Sequence, residues 1–265
     1  MVKRQLLNIC GSIFRLIVLV AFILSFFGLK AQEVNIVQYS ISSGLPQSQV
    51  NKILFDSRGM LWVATSGGGV SSFDGFNFTT FNEGNGLAGN IVLDIEEDSH
   101  GRIICVSSWG GVSIIENNQV SNVLAQDEEN IQLSSLEKDA YGRVWIVGNK
   151  ICYLENDQIK VIVSDLKIPF VNKPNIKSYG NDVYVTSNNK LIIIDAFTLT
   201  QKKVKTYPFN INVVSLFDGK LYLGSENEGL FIEDNGVVSK YSLPNENLTD
   251  KISITDFLLE NNSTL

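Results

Sequence analysis

All-β is the fold class predicted by this sequence of 265 residues, and three observations predict it. Five-residue apolar runs rich in Val, Ile, Leu, Tyr and Trp recur along the chain at a nearly fixed interval. A turn rich in Gly and Asp precedes each run. Beyond residue 31 no segment sustains the 3.6-residue apolar period of an amphipathic helix.

The chain begins with an address. Lys3, Arg4 and Arg15 precede the apolar stretch Leu16–Leu29, and Lys30-Ala31-Gln32 follows, the layout of a secretory signal peptide over residues 1–31. A retained membrane anchor, a signal helix that is not cut, is the alternative reading, because Ile13–Leu29 approaches the ~18 residues that a span needs. Either way residues 32–265 are read as exported. Without the four basic residues of the first 31, the net charge of −7 becomes −11. So acidic a chain repels phosphate backbones, which excludes nucleic acid as a partner. Only Cys105 and Cys152 remain, both within apolar runs, so they read as buried thiols and not as a disulfide framework.

The repeats follow. Their core runs start at Leu61, Ile103, Val144, Val183 and Leu221, in steps of 42, 41, 39 and 38 residues. The turns before them are Asp56-Ser-Arg-Gly, Asp98-Ser-His-Gly, Asp139-Ala-Tyr-Gly, Tyr179-Gly-Asn-Asp and Asp218-Gly-Lys. In the first copy four short strands are predicted: Val50–Phe55, Leu61–Thr65, Val70–Phe73 and Phe76–Phe81. Glycine stands where tight hairpins turn φ positive. The second strand, Met60-Leu-Trp-Val-Ala, is apolar almost throughout, so both of its faces need cover. Stacking such sheets around an axis supplies that cover, and ~40 residues per four-stranded antiparallel unit is the size of a β-propeller blade. The blades are placed at about 44–85, 86–130, 131–169, 170–210 and 211–247, with the start of a sixth over 248–265.

The ends are read in the same register. Asn35 to Pro46 matches Asn77 to Ala88, which predicts an orphan fourth strand at the start that closes a ring. Ile254 onward repeats the first strand and turn of a sixth copy. The expectation is therefore an incomplete ring of about five blades, the front of a longer protein. Its unpaired sheet edge would be a hazard for self-association.

Those motifs carry a resemblance. Gly44-Leu-Pro-Gln-Ser-Gln-Val, Asp56-Ser-Arg-Gly-Met-Leu-Trp-Val-Ala-Thr, Gly68-Gly-Val and Phe73-Asp resemble the two-component regulator propeller repeats. The second copy keeps Gly86-Leu and Gly110-Gly-Val but has Ile104-Cys where Trp is expected; the later copies keep the strand and turn pattern with weaker detail. The resemblance implies the periplasmic ligand-sensing region of a bacterial histidine kinase or hybrid regulator, often one that responds to polysaccharide fragments. The leader ending Leu29-Lys-Ala-Gln resembles exports of the Bacteroidetes. In such proteins a small β-sandwich, a membrane helix and a cytoplasmic kinase follow the propeller, so the implied partners are an oligosaccharide or other small ligand and those downstream kinase domains. Neither a phosphoacceptor region nor an ATP-binding motif stands in these residues, so kinase activity is expected only of a longer parent.

Candidate chemistry is sparse. His100, the single histidine, occupies a turn position held by Arg58 and Tyr141 in other copies, and a serine–histidine–acid triad has no second histidine to use. Gly84-Asn-Gly-Leu-Ala-Gly89 fits a dinucleotide fingerprint, but a strand follows it where the fingerprint needs a helix. The acids Asp94, Glu96, Glu97 and Asp98 read as solvated turn residues; no calcium loop is present, and no metal or cofactor is assigned. Trp109 aligns with the turn glycine Gly67 and is the one candidate ligand-binding residue, its ring suited to stacking on a sugar or to filling a gap between blades. Trp62 and Trp145 share one repeat position and read as core. Three function classes remain: a non-catalytic sensing module, a scaffold for protein partners, and a propeller enzyme acting on polysaccharide, which the shortage of histidine disfavours.

Overall fold

Turn chemistry and alternation build five separate sheets. The structure is a computed structural model that describes residues 36–108, 111–123, 131–163, 166, 173–241 and 252–257, so the leader at 1–31 lies outside the described residues. The first sheet is β1 (Val50–Phe55), β2 (Leu61–Thr65), β3 (Gly69–Phe73) and β4 (Phe78–Phe81). The second is β5 (Val92–Glu97), β6 (Ile103–Ser107), β7 (Val112–Glu116) and β8 (Gln119–Val123). The third is β9 (Leu133–Lys138), β10 (Val144–Gly148), β11 (Ile151–Glu155) and β12 (Gln158–Val163). The fourth is β13 (Ile176–Tyr179), β14 (Asp182–Ser187), β15 (Lys190–Asp195) and β16 (Thr200–Thr206). The fifth is β17 (Ile211–Phe217), β18 (Lys220–Ser225), β19 (Leu230–Asp234) and β20 (Val237–Tyr241). Every sheet is antiparallel, with its strands side by side in chain order.

The expected shielding of second strands is present. β6 and β10 are buried along their whole length. Alternation divides their side chains between two neighbours: Val144 and Ile146 join a core with the second sheet, while Trp145 and Val147 join one with the fourth. Four apolar clusters result, one between each successive pair of sheets. Cys105 lies in the cluster between the first two sheets and Cys152 in the next; both are free and buried. Burial pushes the Cys152 thiol up to about 12.

The first sheet shows what an absent neighbour does. Ile53 and Ile95 hold the same register, opposite Val63 and Cys105. Ile95 is 0% exposed, whereas Ile53, on the flank facing away from the second sheet, is 57% exposed, and Phe55 on that flank is 69% exposed. Among the described residues the ring is open.

The repeat extends past the fifth sheet. Thr65 Oγ1 donates to the Gly69 carbonyl, and the Gly69 N–H donates to the Asn90 carbonyl. Ser225 Oγ does the same to Gly229, whose N–H donates to Ile252. Asn51 Nδ2 donates to the Val92 carbonyl at 2.7 Å, and Asn212 Nδ2 donates to the Ile254 carbonyl at 3.2 Å. Ile252–Ile254 therefore seats against the fifth sheet as Asn90–Val92 seats against the first, which is the start of the sixth copy.

Two expectations need correction. Residues 36–40 carry no strand. The matched segments share instead a 3₁₀ turn, Ile41–Ser43 and Glu83–Asn85, each ended by a left-handed glycine (Gly44 φ 100°, Gly86 φ 106°). Phe81 is strand because β3 pairs with it, and no described strand offers Tyr39 the same ladder. The fourth strand also begins at Phe78 and not at Phe76. Asp74 Oδ1 accepts from the Phe76 and Asn77 N–H groups, which curls the chain into an Asx turn and leaves Phe76 in solvent.

Candidate functional site: the axial cavity

The first strands β1, β5, β9, β13 and β17 neighbour one another in that order and form the inner wall. An innermost strand has one edge without a sheet partner, so its N–H and C=O groups need other partners. Side chains from the preceding blade supply them. Asp94 Oδ2 accepts from the Leu136 N–H at 3.0 Å, Glu137 Oε1 from the Ser178 N–H at 3.0 Å, and Ser135 Oγ donates to the Pro174 carbonyl at 2.7 Å. Bulges on β1, β5, β9 and β17 set this register.

These residues enclose a cavity of about 460 Å³, whose wall includes Lys52, Asp94, Ser135, Lys173, Asn175 and Asp256. Lys52, Asp94, Ser135 and Asn175 occupy one register position in four consecutive copies. Asp256 takes that position in the sixth, two residues beyond Ile254 as Asp94 is two beyond Val92. Lys52 Nζ stands 3.6 Å from Asp94 Oδ1, which also accepts from the Ile95 N–H. Lys173 Nζ donates to the Leu93 carbonyl at 3.2 Å. Lys173 is exposed at the cavity; partial desolvation lowers it from the ordinary lysine value, which the nearby Asp94 charge opposes and the Lys52 charge reinforces. Asn175 Oδ1 is buried with no hydrogen-bond partner.

Two residues further along, Glu96, Glu137 and Lys177 hold the next common position. Burial raises Glu137 to about 6, against the pull of Lys177 and the Ser178 N–H and with a further push from Glu96. Burial raises Glu96 as well, opposed by the Glu97 N–H and by Lys138.

The structure redistributes the sequence candidates. Asp94 and Glu96 belong to β5, not to a solvated turn, and Asp94 is buried in the cavity wall. His100 stays in its outer turn, its side chain 74% exposed, and is not in the wall. Trp109 lies outside the described residues. Among the described residues no three His, Cys, Asp or Glu side chains converge on a metal-sized site.

The repeat motif has its own geometry. Asp56 Oδ1 accepts from the Arg58 and Met60 N–H groups, and Oδ2 accepts from Trp62 Nε1 at 3.1 Å. Asp139 repeats it with Tyr141, Arg143 and Trp145 Nε1 at 2.8 Å. Asp98 ties the same turn through His100 and Arg102, with Ile104 in place of the indole. The aspartate thus closes the turn and satisfies the buried tryptophan beyond it. Residues 44–67, which span this motif in the first copy, match the family model described as Two component regulator propeller.

That match lies within the first copy of the repeat. Solved structures share the fold of this chain. One is the extracellular domain assigned to the hybrid two component system BT4673 from B. thetaiotaomicron, with a TM-score of 0.68 and 14% identity over 87% of this chain and 34% of that one. Another BT4673 extracellular domain, assigned to a one component system, gives a TM-score of 0.59 and 17% identity over 75% of this chain and 29% of that one. Virginiamycin B lyase from Staphylococcus aureus gives a TM-score of 0.59 and 14% identity over 76% of this chain and 72% of that one. The chain thus spans about a third of the length of the two BT4673 domains, and likeness at these identities concerns the fold. No curated protein matches it.

Proposed function

We propose that this chain is the extracytoplasmic ligand-sensing propeller of a two-component receptor, and that the axial cavity is where it meets a small polar ligand. The repeat family and the extracellular domains of like fold support the receptor setting. The leader-like residues 1–31 support export, and no helix among the described residues is long and apolar enough to cross a membrane. The observation that carries the reading is the cavity itself. Its volume lies within the ~300–1,000 Å³ of small-molecule sites, and its wall is mostly Lys, Asp, Asn, Ser and Thr, which suits a hydroxyl-rich guest. Signalling in this reading passes to kinase domains of a longer parent. In this reading the chain binds its ligand without transforming it, and His100 stands away from the cavity wall.

The purified chain, melted with a panel of neutral, acidic and amino saccharide fragments, tests this. A saturable rise in Tm of several degrees with at least one member is expected. A flat response to the whole panel, with the far-UV spectrum of the sheet intact, rejects the sensing role.

A further inference from the structure

The cavity wall is uneven in its charge and in how its groups are occupied. Both Asp94 oxygens are committed, Oδ1 to the Ile95 N–H and the Lys52 ammonium, Oδ2 to the Leu136 N–H. Lys52 and Asp94 neutralise each other. Lys177, also in the wall, has Glu137 as its counter-charge, and Glu137 and Glu96 stay outside the wall. Lys173 donates to one backbone carbonyl, which leaves two of its three N–H donors for a guest. Asp256, the other acid of the wall, has one oxygen taken by the Phe257 N–H. An ammonium whose one protein partner is a neutral carbonyl gains from an anion. A single charge fits better than two, because the three ammoniums of the wall, Lys52, Lys173 and Lys177, exceed its two carboxylates, Asp94 and Asp256, by one. The second feature is Asn175, whose buried Oδ1 has no donor. Such an oxygen carries a desolvation penalty that rotation toward a ligand hydroxyl removes.

Resting on the sensing role proposed above, we infer that the ligand is a small hydroxylated monocarboxylate, a sugar acid in chemical class, whose carboxylate pairs with Lys173 while an adjoining hydroxyl donates to Asn175. A phosphate dianion would bring a second charge that the wall does not match.

D-Glucuronate and D-glucose differ at one carbon and serve as probes, with D-glucosamine as the cationic control, each titrated into the chain by calorimetry at neutral pH. Glucuronate is expected to bind at least tenfold tighter than glucose, and to weaken as salt rises. Lys173→Gln should remove that preference, and Lys173→Arg should keep it. Asn175→Asp, which sets a carboxylate against the ligand, should weaken glucuronate at least tenfold and spare glucose. Equal affinity for glucose and glucuronate, or a preference that survives Lys173→Gln, overturns the acid inference and leaves the sensing role standing. Preference for glucosamine does the same. If none of the three binds, the acid inference falls, and the wider saccharide panel decides the sensing role by itself.

Discussion

Asp56 and Asp139 each tie a turn to an indole, and that pairing determines what happens when either partner is removed. Trp62 is 4% exposed and packs beside Phe81, its ring centroid 5.8 Å away. Trp62→Ala is expected to destabilise by roughly 3–5 kcal/mol from the emptied volume. Burial acts to raise Asp56, but bonds from Arg58, Trp62 and two backbone N–H groups hold it below the usual carboxylate range. A carboxylate so depressed stabilises the fold above its unfolded pKa, and the contribution fades as pH falls through the folded value. Glu137 has the opposite sign. Its folded value of about 6 exceeds the ordinary 4.5, so the native state binds the extra proton and stability declines as pH rises between those values. Glu137→Gln should therefore gain up to about 2 kcal/mol at pH 7 and lose the pH slope between 4.5 and 6. Denaturant melts at pH 4.5 and 7 check this, and a variant with an unchanged slope would assign the titration to another group.

At the scale of elements, strands and turns were readable because the residues that make them are local. Asp-x-x-Gly turns, apolar five-residue runs and the Gly-Gly-Val hairpin each declare themselves within ten residues, and the sheets stand where those signals are. The cavity was not readable in this way. Steps of 42 and 41 carry Lys52 to Asp94 and Ser135, but Asn175 falls one residue beyond the next step of 39, and which face these side chains take depends on bulges on β1, β5 and β9 that leave no compositional mark. Asp94 and Glu96 looked like turn acids because Asp98 follows so soon. The hairpin glycines differ in the same hidden way. Gly69 has φ 82°, and a Cβ there would sit 2.0 Å from the Phe81 carbonyl, where β3 and β4 close; Gly75 has φ 98° with open space around it. Gly69→Ala should cost roughly 2–4 kcal/mol, from strain plus collision, and Gly75→Ala roughly 1 kcal/mol from strain alone. Equal losses at the two sites, read from thermal melts, would show that the close approach is relieved by backbone movement.

For the whole molecule, the four apolar clusters between successive sheets govern behaviour, since each belongs to one pair of neighbours. Blades two, three and four are covered on both sides, and the first has its Ile53 and Phe55 flank bare. Amide hydrogen exchange should be slowest in β6 and β10, and several orders of magnitude faster in β1 and β20. Uniform protection across all five sheets would mean that the clusters melt as one. With cores that are separate and merely adjacent, cooperativity is handed along a line and not shared about a centre. Opening then starts at a margin and runs inward like a zipper, and the cavity is lost when its first and last blades part, well before the middle blades unfold.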